Sequence, residues 1–155
     1  MRSYEILRAQ SEEKLKIADH LIGTTYPLVR EPKLLVSVIE NISQSLDLAM
    51  ASLLDYEKSF IKIPSYSEDF ESRLEVFRRK VATKYGIEND VLNFIVDLRR
   101  ILDGHKKSSV EFTRKEKIVI TDNNFNMETL AIEDVKKKLL KAKAISNMMF
   151  SIIKY

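Results

Sequence analysis

Residues 35–56 read LVSVIENISQSLDLAMASLLDY, and their spacing decides the fold class. Leu35, Ile39, Ile42, Leu46, Ala49, Leu53 and Tyr56 follow alternating steps of four and three, an unbroken a/d seam about three heptads long. One helix cannot bury such a stripe against itself. It requires helical neighbours or a second subunit. Between the seam positions lie Glu40, Asn41, Ser43, Gln44, Asp47, Ser52 and Asp55, which the pattern assigns mostly to a solvated face. Pro32 stands just upstream, where the first turn of a helix tolerates a missing N–H.

Working outward, Leu7, Leu15, Ala18, Leu21 and Ile22 form an apolar stripe on a first helix over about residues 3–26, with Glu12, Glu13, Lys14 and Lys16 toward water. Thr24, Thr25 and Pro27 are expected to end or kink it. The link LVREP is short, so the first two helices should pack antiparallel. Downstream, Ser65 and Glu68 have capping-box spacing, and Phe70, Leu74, Phe77 and Val81 mark a third helix. Gly86 suits a helix stop, Asn89 or Asp90 a restart, and Leu92, Ile95, Leu98 and Leu102 continue the apolar stripe. Residues 66–103 are therefore one kinked helix or two, and Gly104 is predicted to end the helix before His105.

After Gly104 the period shortens. Val110 and Phe112 alternate with polar residues, as do Ile118 and Ile120, and Asp122, Asn123 and Asn124 supply turn chemistry. With Met127, Thr129 and Ala131, this reads as a small antiparallel hairpin or three-stranded flap over about residues 106–131. A last helix opens near Glu133 and Asp134 and carries Ile132, Val135, Leu139, Ala142, Ile145, Met149 and Ile152 on its apolar face. Residues 1–155 are thus read as one domain, mainly α. The expected architecture is an antiparallel up-and-down bundle of four to five helices with a small β flap before the C-terminal helix.

Composition agrees. Three glycines and three prolines in 155 residues favour long helices over a many-turned β fold. The absence of cysteine excludes disulfides and thiolate metal sites. The charged N-terminus lacks a signal-peptide core, and no apolar run approaches the ~20 residues of a membrane span, so a cytoplasmic protein without membrane contact is expected.

Few residues can carry chemistry. With two histidines, His20 and His105, the common zinc sites are out of reach. Glu40, Asp47 and Asp55 share one helix without a histidine in register, and read as solvated carboxylates. No phosphate-binding glycine loop or serine nucleophile elbow occurs, and no cofactor or metal is expected. The net charge of +3 is unevenly spread: residues 1–98 hold 13 basic and 16 acidic side chains, residues 99–117 hold 7 and 3. Lys106, Lys107, Arg114, Lys115 and Lys117, with Arg99, could meet phosphates, although lysines on a hairpin edge also serve to block sheet pairing. Phe112 and Phe125 could stack bases or pin the flap to the bundle. Among these residues Arg100 and His105 stand out. An imidazole moves a proton near neutral pH, and a guanidinium neutralises charge on a phosphoryl group. Together they suffice for metal-free cleavage of RNA by its own 2′-hydroxyl.

The string from Arg100 to His105 reads R-x4-H at the end of a bundle helix, and basic residues follow it. In this the chain resembles the HEPN superfamily (higher eukaryotes and prokaryotes nucleotide-binding), whose signature is an arginine, four to six residues and a histidine. The resemblance implies an up-and-down helical bundle, often a homodimer, acting as an RNA-binding protein or metal-independent ribonuclease. Arg100 and His105 would form its site; taking Arg99 instead gives R-x5-H. Several members are toxins paired with a nucleotidyltransferase-like antitoxin, which the resemblance implies as a partner. The competing reading is a non-catalytic helical module that docks onto another protein.

Overall fold

The computed structural model describes residues 1–106, 110–114, 117–121 and 127–154, with backbone only at 110–114, 120–121 and 127–128. The first helix, α1, comprises Ser3–His20, a π-helical turn at Leu21–Thr25 and a final turn at Tyr26–Val29. Pro27 does not end it. The N–H of Tyr26 bonds five residues back to the Leu21 carbonyl, and this wide turn gives the proline ring room where an ordinary turn would clash.

The second helix, α2, spans Lys33–Glu57 and touches every other helix of the fold. Its seam is wholly internal: Leu35, Ile39, Ile42, Leu46, Ala49 and Leu53 have no exposed surface. The seam is covered by neighbours within the chain, so it offers no contact surface to a second subunit. Lys33–Glu57 is long and apolar enough by composition to cross a membrane. A central bundle helix has the same composition, because it is covered on most sides.

The interval assigned to solvent is largely covered too. Ser43 and Ser52 are buried, and only Glu40 of that set is exposed. The cause is the close approach of α1. Ser11 Oγ donates to the Ser45 carbonyl at 2.7 Å, and Ser45 Oγ donates to the Ser11 carbonyl at 2.8 Å. One heptad along, Ser52 Oγ donates to the Tyr4 carbonyl at 2.7 Å. The same antiparallel register in the other direction brings Ala18 toward Val38, both fully buried. Small side chains let the two backbones approach, and each hydroxyl is satisfied by a carbonyl of the facing helix. Leu7, Leu15 and Leu21 flank this contact and are only half-buried.

Helix α3 comprises Phe70–Phe77, a π-helical turn at Arg78–Ala82 and Thr83–Tyr85. Its N-cap is Asp69, not Ser65: the carboxylate accepts from Ser72 N–H at 2.7 Å, which lowers its pKa below the ordinary value. Arg73 Nη1 bonds Asp47 Oδ1 at 2.7 Å and ties α3 to α2. Gly86 ends α3 at φ 68, and the Ile87 N–H closes back on the Ala82 carbonyl at 2.9 Å. Residues 66–103 thus form two helices. The second, α4, runs Asn89–Lys106. Gly104 does not stop it. A glycine costs a helix interior only about 1 kcal/mol, and buried Ile101 and Leu102 hold the last turns to the core.

Three strands follow, β1 Val110–Arg114, β2 Lys117–Thr121 and β3 Met127–Ala131, in an antiparallel sheet of order β1-β2-β3. Ile118 and Leu130 oppose one another in register and join the helical core. Helix α5, Ile132–Phe150, starts directly after β3, with the Asp134 carboxylate accepting from Ala131 N–H at 3.3 Å. Val135, Leu139, Ala142, Ile145 and Met149 bury its inner face. The architecture is a mainly α bundle of five helices with the small sheet before the last.

At the C-terminal end of α2, Glu57 is fully buried. It accepts from Lys84 Nζ at 2.9 Å and from the Tyr85 hydroxyl, both at the end of α3. Burial, then the bond to Glu57, raises the Tyr85 pKa; the bond to Glu57 raises that of Lys84. Groups whose pKa rises on folding add stability below their unfolded values and lose it as pH climbs through the folded ones. Stability should therefore fall as pH rises past the ordinary tyrosine value of 10.0. Tyr85→Phe should flatten that fall, as read by urea midpoints across the alkaline range. For the α1–α2 contact, Ser45→Ala should cost about 1 kcal/mol from one lost hydrogen bond. Ser45→Leu should cost more, about 1–3 kcal/mol from overpacking beyond that loss, in the same denaturation experiment.

Candidate functional site

The last turns of α4 carry the arginine–histidine pair. Ile95, Leu98, Ile101 and Leu102 face inward, which fixes the helix rotation. Arg100 then falls on the solvent side and is exposed, with its Nε 3.5 Å from Asp97 Oδ1 one turn back. His105 is half-buried near the end of the helix, and its Nδ1 is shielded from solvent. Because α4 stays helical through Gly104, the two residues are separated by about 140° around the axis and about 7.5 Å along it. Within one chain they leave the helix on different faces.

Arg99 takes a third direction. Its guanidinium lies 4.7 Å from the centre of the Phe70 ring, at the start of α3. That contact joins α4 to α3. Lys106 is exposed at the end of α4, and Lys117 is exposed at the start of β2. The backbone of Arg114 pairs with Lys117 in the sheet. Lys107, Lys115 and Phe125 lie outside the described residues, as do the side chains of Arg114 and Phe112.

The remaining candidates are accounted for by packing and surface contacts. His20 is exposed on α1. Asp47 is bound by Arg73, Asp55 accepts from Ser3, and Glu40 accepts from Gln44 at 3.3 Å. Among the described residues, no group of three histidine or acidic side chains could hold a metal ion.

A basic groove of about 500 Å³ lies beside this region, where α4, α5 and β3 meet. Lys137, Lys138 and Lys141 line one wall, Phe94 the other, and Thr129 and Leu130 the end. Asp134 is its one acidic residue, and it is engaged at the start of α5. Lys117 lies outside the groove's lining; it pairs with Ala131, two residues from Thr129 in β3. Sequence reasoning placed the excess charge at residues 99–117 and passed over α5. The available signal was the spacing of Asp134, Lys137, Lys138 and Lys141, which puts all four on one helical face.

Comparison of the chain with protein-family models, with curated proteins and with solved structures finds no match. The likeness to HEPN proteins therefore rests on the arginine–histidine spacing and the bundle. The geometry of Arg99 has a direct consequence. Arg99→Leu should lower stability by about 0.5–1 kcal/mol through loss of the Phe70 contact. Urea midpoints of the parent and the variant would read that loss.

Proposed function

We propose that this protein is a HEPN-like RNA-binding protein that cleaves RNA without a metal. The carrying observation is the run of cations about an imidazole at the end of α4: Arg100 and Lys106 are exposed on its last turns and Lys117 at the start of β2, with His105 half-buried next to Lys106 along the helix. Cations there attract the phosphodiester backbone, and the imidazole supplies the proton transfer that phosphates alone do not.

In this reading His105 takes the proton from a ribose 2′-hydroxyl. The freed oxygen attacks the adjacent phosphorus, the bond from phosphorus to the 5′-oxygen breaks, and that oxygen leaves with a proton from water. The products are a 2′,3′-cyclic phosphate and a 5′-hydroxyl. Arg100 neutralises the charge gathered on the phosphoryl oxygens in the transition state. Since Arg100 and His105 diverge along α4, the cleaving unit is a homodimer that places Arg100 of one copy beside His105 of the other. A nucleotidyltransferase-like antitoxin is the heterologous partner implied by the same resemblance, and the cytoplasm is the compartment where RNA and such a partner would be met.

One observation favours the second reading, a non-catalytic docking module. Leu28 and Val29 are 82% and 61% exposed at the end of α1, an apolar pair with no role in RNA contact.

The test is cleavage of labelled single-stranded RNA in EDTA. The parent should yield 2′,3′-cyclic ends, and His105→Ala and Arg100→Ala should each lose at least about 100-fold in rate. Mixing the two inactive variants should restore partial activity through mixed dimers. Neither cutting nor RNA binding by the parent would favour the docking module.

A further inference from the structure

We infer that the groove between α4, α5 and β3 is a binding path for single-stranded RNA, with a base stacked on Phe94 and phosphates held by Lys137, Lys138 and Lys141. This rests on the RNA-binding reading but uses none of the residues assigned to cleavage.

Three features of the groove point to that ligand. First, three lysines are gathered at one groove. Asp134, Lys137, Lys138 and Lys141 lie on one stripe of α5, beside the core stripe of Val135, Leu139 and Ala142. Lys137, Lys138 and Lys141 all line one shallow groove. Like charges gathered at a cleft focus the potential there and favour an anionic occupant.

Second, the wall opposite is aromatic. Phe94 is half-buried: its inner part packs on the core, and it also lines the groove. The Lys141 ammonium lies over the Phe94 ring, 5.1 Å from its centre, so a cation and an aromatic face lie within one nucleotide's reach. A base stacking on that face takes the place of the ammonium as Lys141 turns to the adjoining phosphate. That combination serves single strands, whose unpaired bases offer a π-face next to each phosphate. A duplex keeps its bases stacked on one another and has no use for the ring.

Third, the anionic neighbours are weak competitors. Lys141 faces Asp90 at 4.0 Å, with both side chains about half exposed or more. Such surface pairs contribute little, so a phosphate can replace the carboxylate. The Asp134 carboxylate is already held by the Ala131 amide.

The test is fluorescence anisotropy with a labelled single-stranded oligouridylate over a range of salt concentrations. The Lys137→Gln, Lys138→Gln, Lys141→Gln triple variant should bind more weakly, and its salt slope should be smaller by about 2, from three lost phosphate contacts at about 0.7 each. Phe94→Leu keeps an apolar side chain against the core. It should weaken binding roughly 5- to 100-fold with the slope unchanged, the signature of lost stacking. Circular dichroism on each variant separates loss of binding from loss of fold. Parent-like affinity in the folded triple variant, with binding lost in Lys106→Gln, Lys117→Gln, would overturn the groove and leave the RNA-binding reading standing. Equal affinity of the parent for the matching RNA duplex would overturn the stacking role of Phe94. No binding by the parent would remove both readings.

Discussion

Everything in this fold depends on covering α2. A helix of 25 residues with its seam fully buried needs apolar partners around most of its circumference. The chain supplies them from α1, α3, α4 and α5 in turn. Burying a large aliphatic side chain is worth about 1.5–3 kcal/mol, so the central helix dominates the favourable side of folding. The α1–α2 contact is the tightest of these and differs in kind. Its centre is Ser11 against Ser45, where small side chains let the helices close and reciprocal hydroxyl–carbonyl bonds keep the buried oxygens satisfied. Leucine on either side would have held the helices apart.

The C-terminal half of α2 is tied to α3 by polar contacts. Near its C-terminus, Glu57 is buried and held by Lys84 and Tyr85, which pins the end of α3 across it. An unpartnered carboxylate there would be costly, so the cluster constrains where α3 can sit. Asp47 and Arg73 make a second tie between the same helices. These bonds set the angle at which α3 gives way, through Gly86, to α4. The rotation of α4 in turn decides that Arg99 meets Phe70, Arg100 meets water and His105 lies half-buried near the flap.

The cationic surface has two parts with different structural origins. Lys106 and Lys117 flank the junction between α4 and the sheet, close in sequence to the arginine–histidine pair. Lys137, Lys138 and Lys141 arrive from α5, more than thirty residues after His105, and line a groove with Phe94 because the fold brings α5 within side-chain reach of α4. Local charge counting finds the first part and misses the second. A helix face of three lysines reads as ordinary solvated surface until its neighbour is known.

Periodicity alone determined much of this protein. Seven apolar residues from Leu35 to Tyr56 required a bundle, Phe70 to Val81 and Leu92 to Leu102 supplied two more helices, and the change to alternation after Gly104 located the sheet. These signals are local because hydrophobic burial imposes the period of each element on its own residues. Only the tertiary structure decided what Ser11, Ser45 and Ser52 do, because a serine is polar by composition and suits the core when a facing carbonyl accepts its hydrogen bond. It also decided that Gly104 stays helical, since buried Ile101 and Leu102 outweigh the propensity of one glycine. The divergence of Arg100 from His105 follows from that same continuity. Spacing names residues that could act together, but helix rotation, fixed by the core, decides which of them meet.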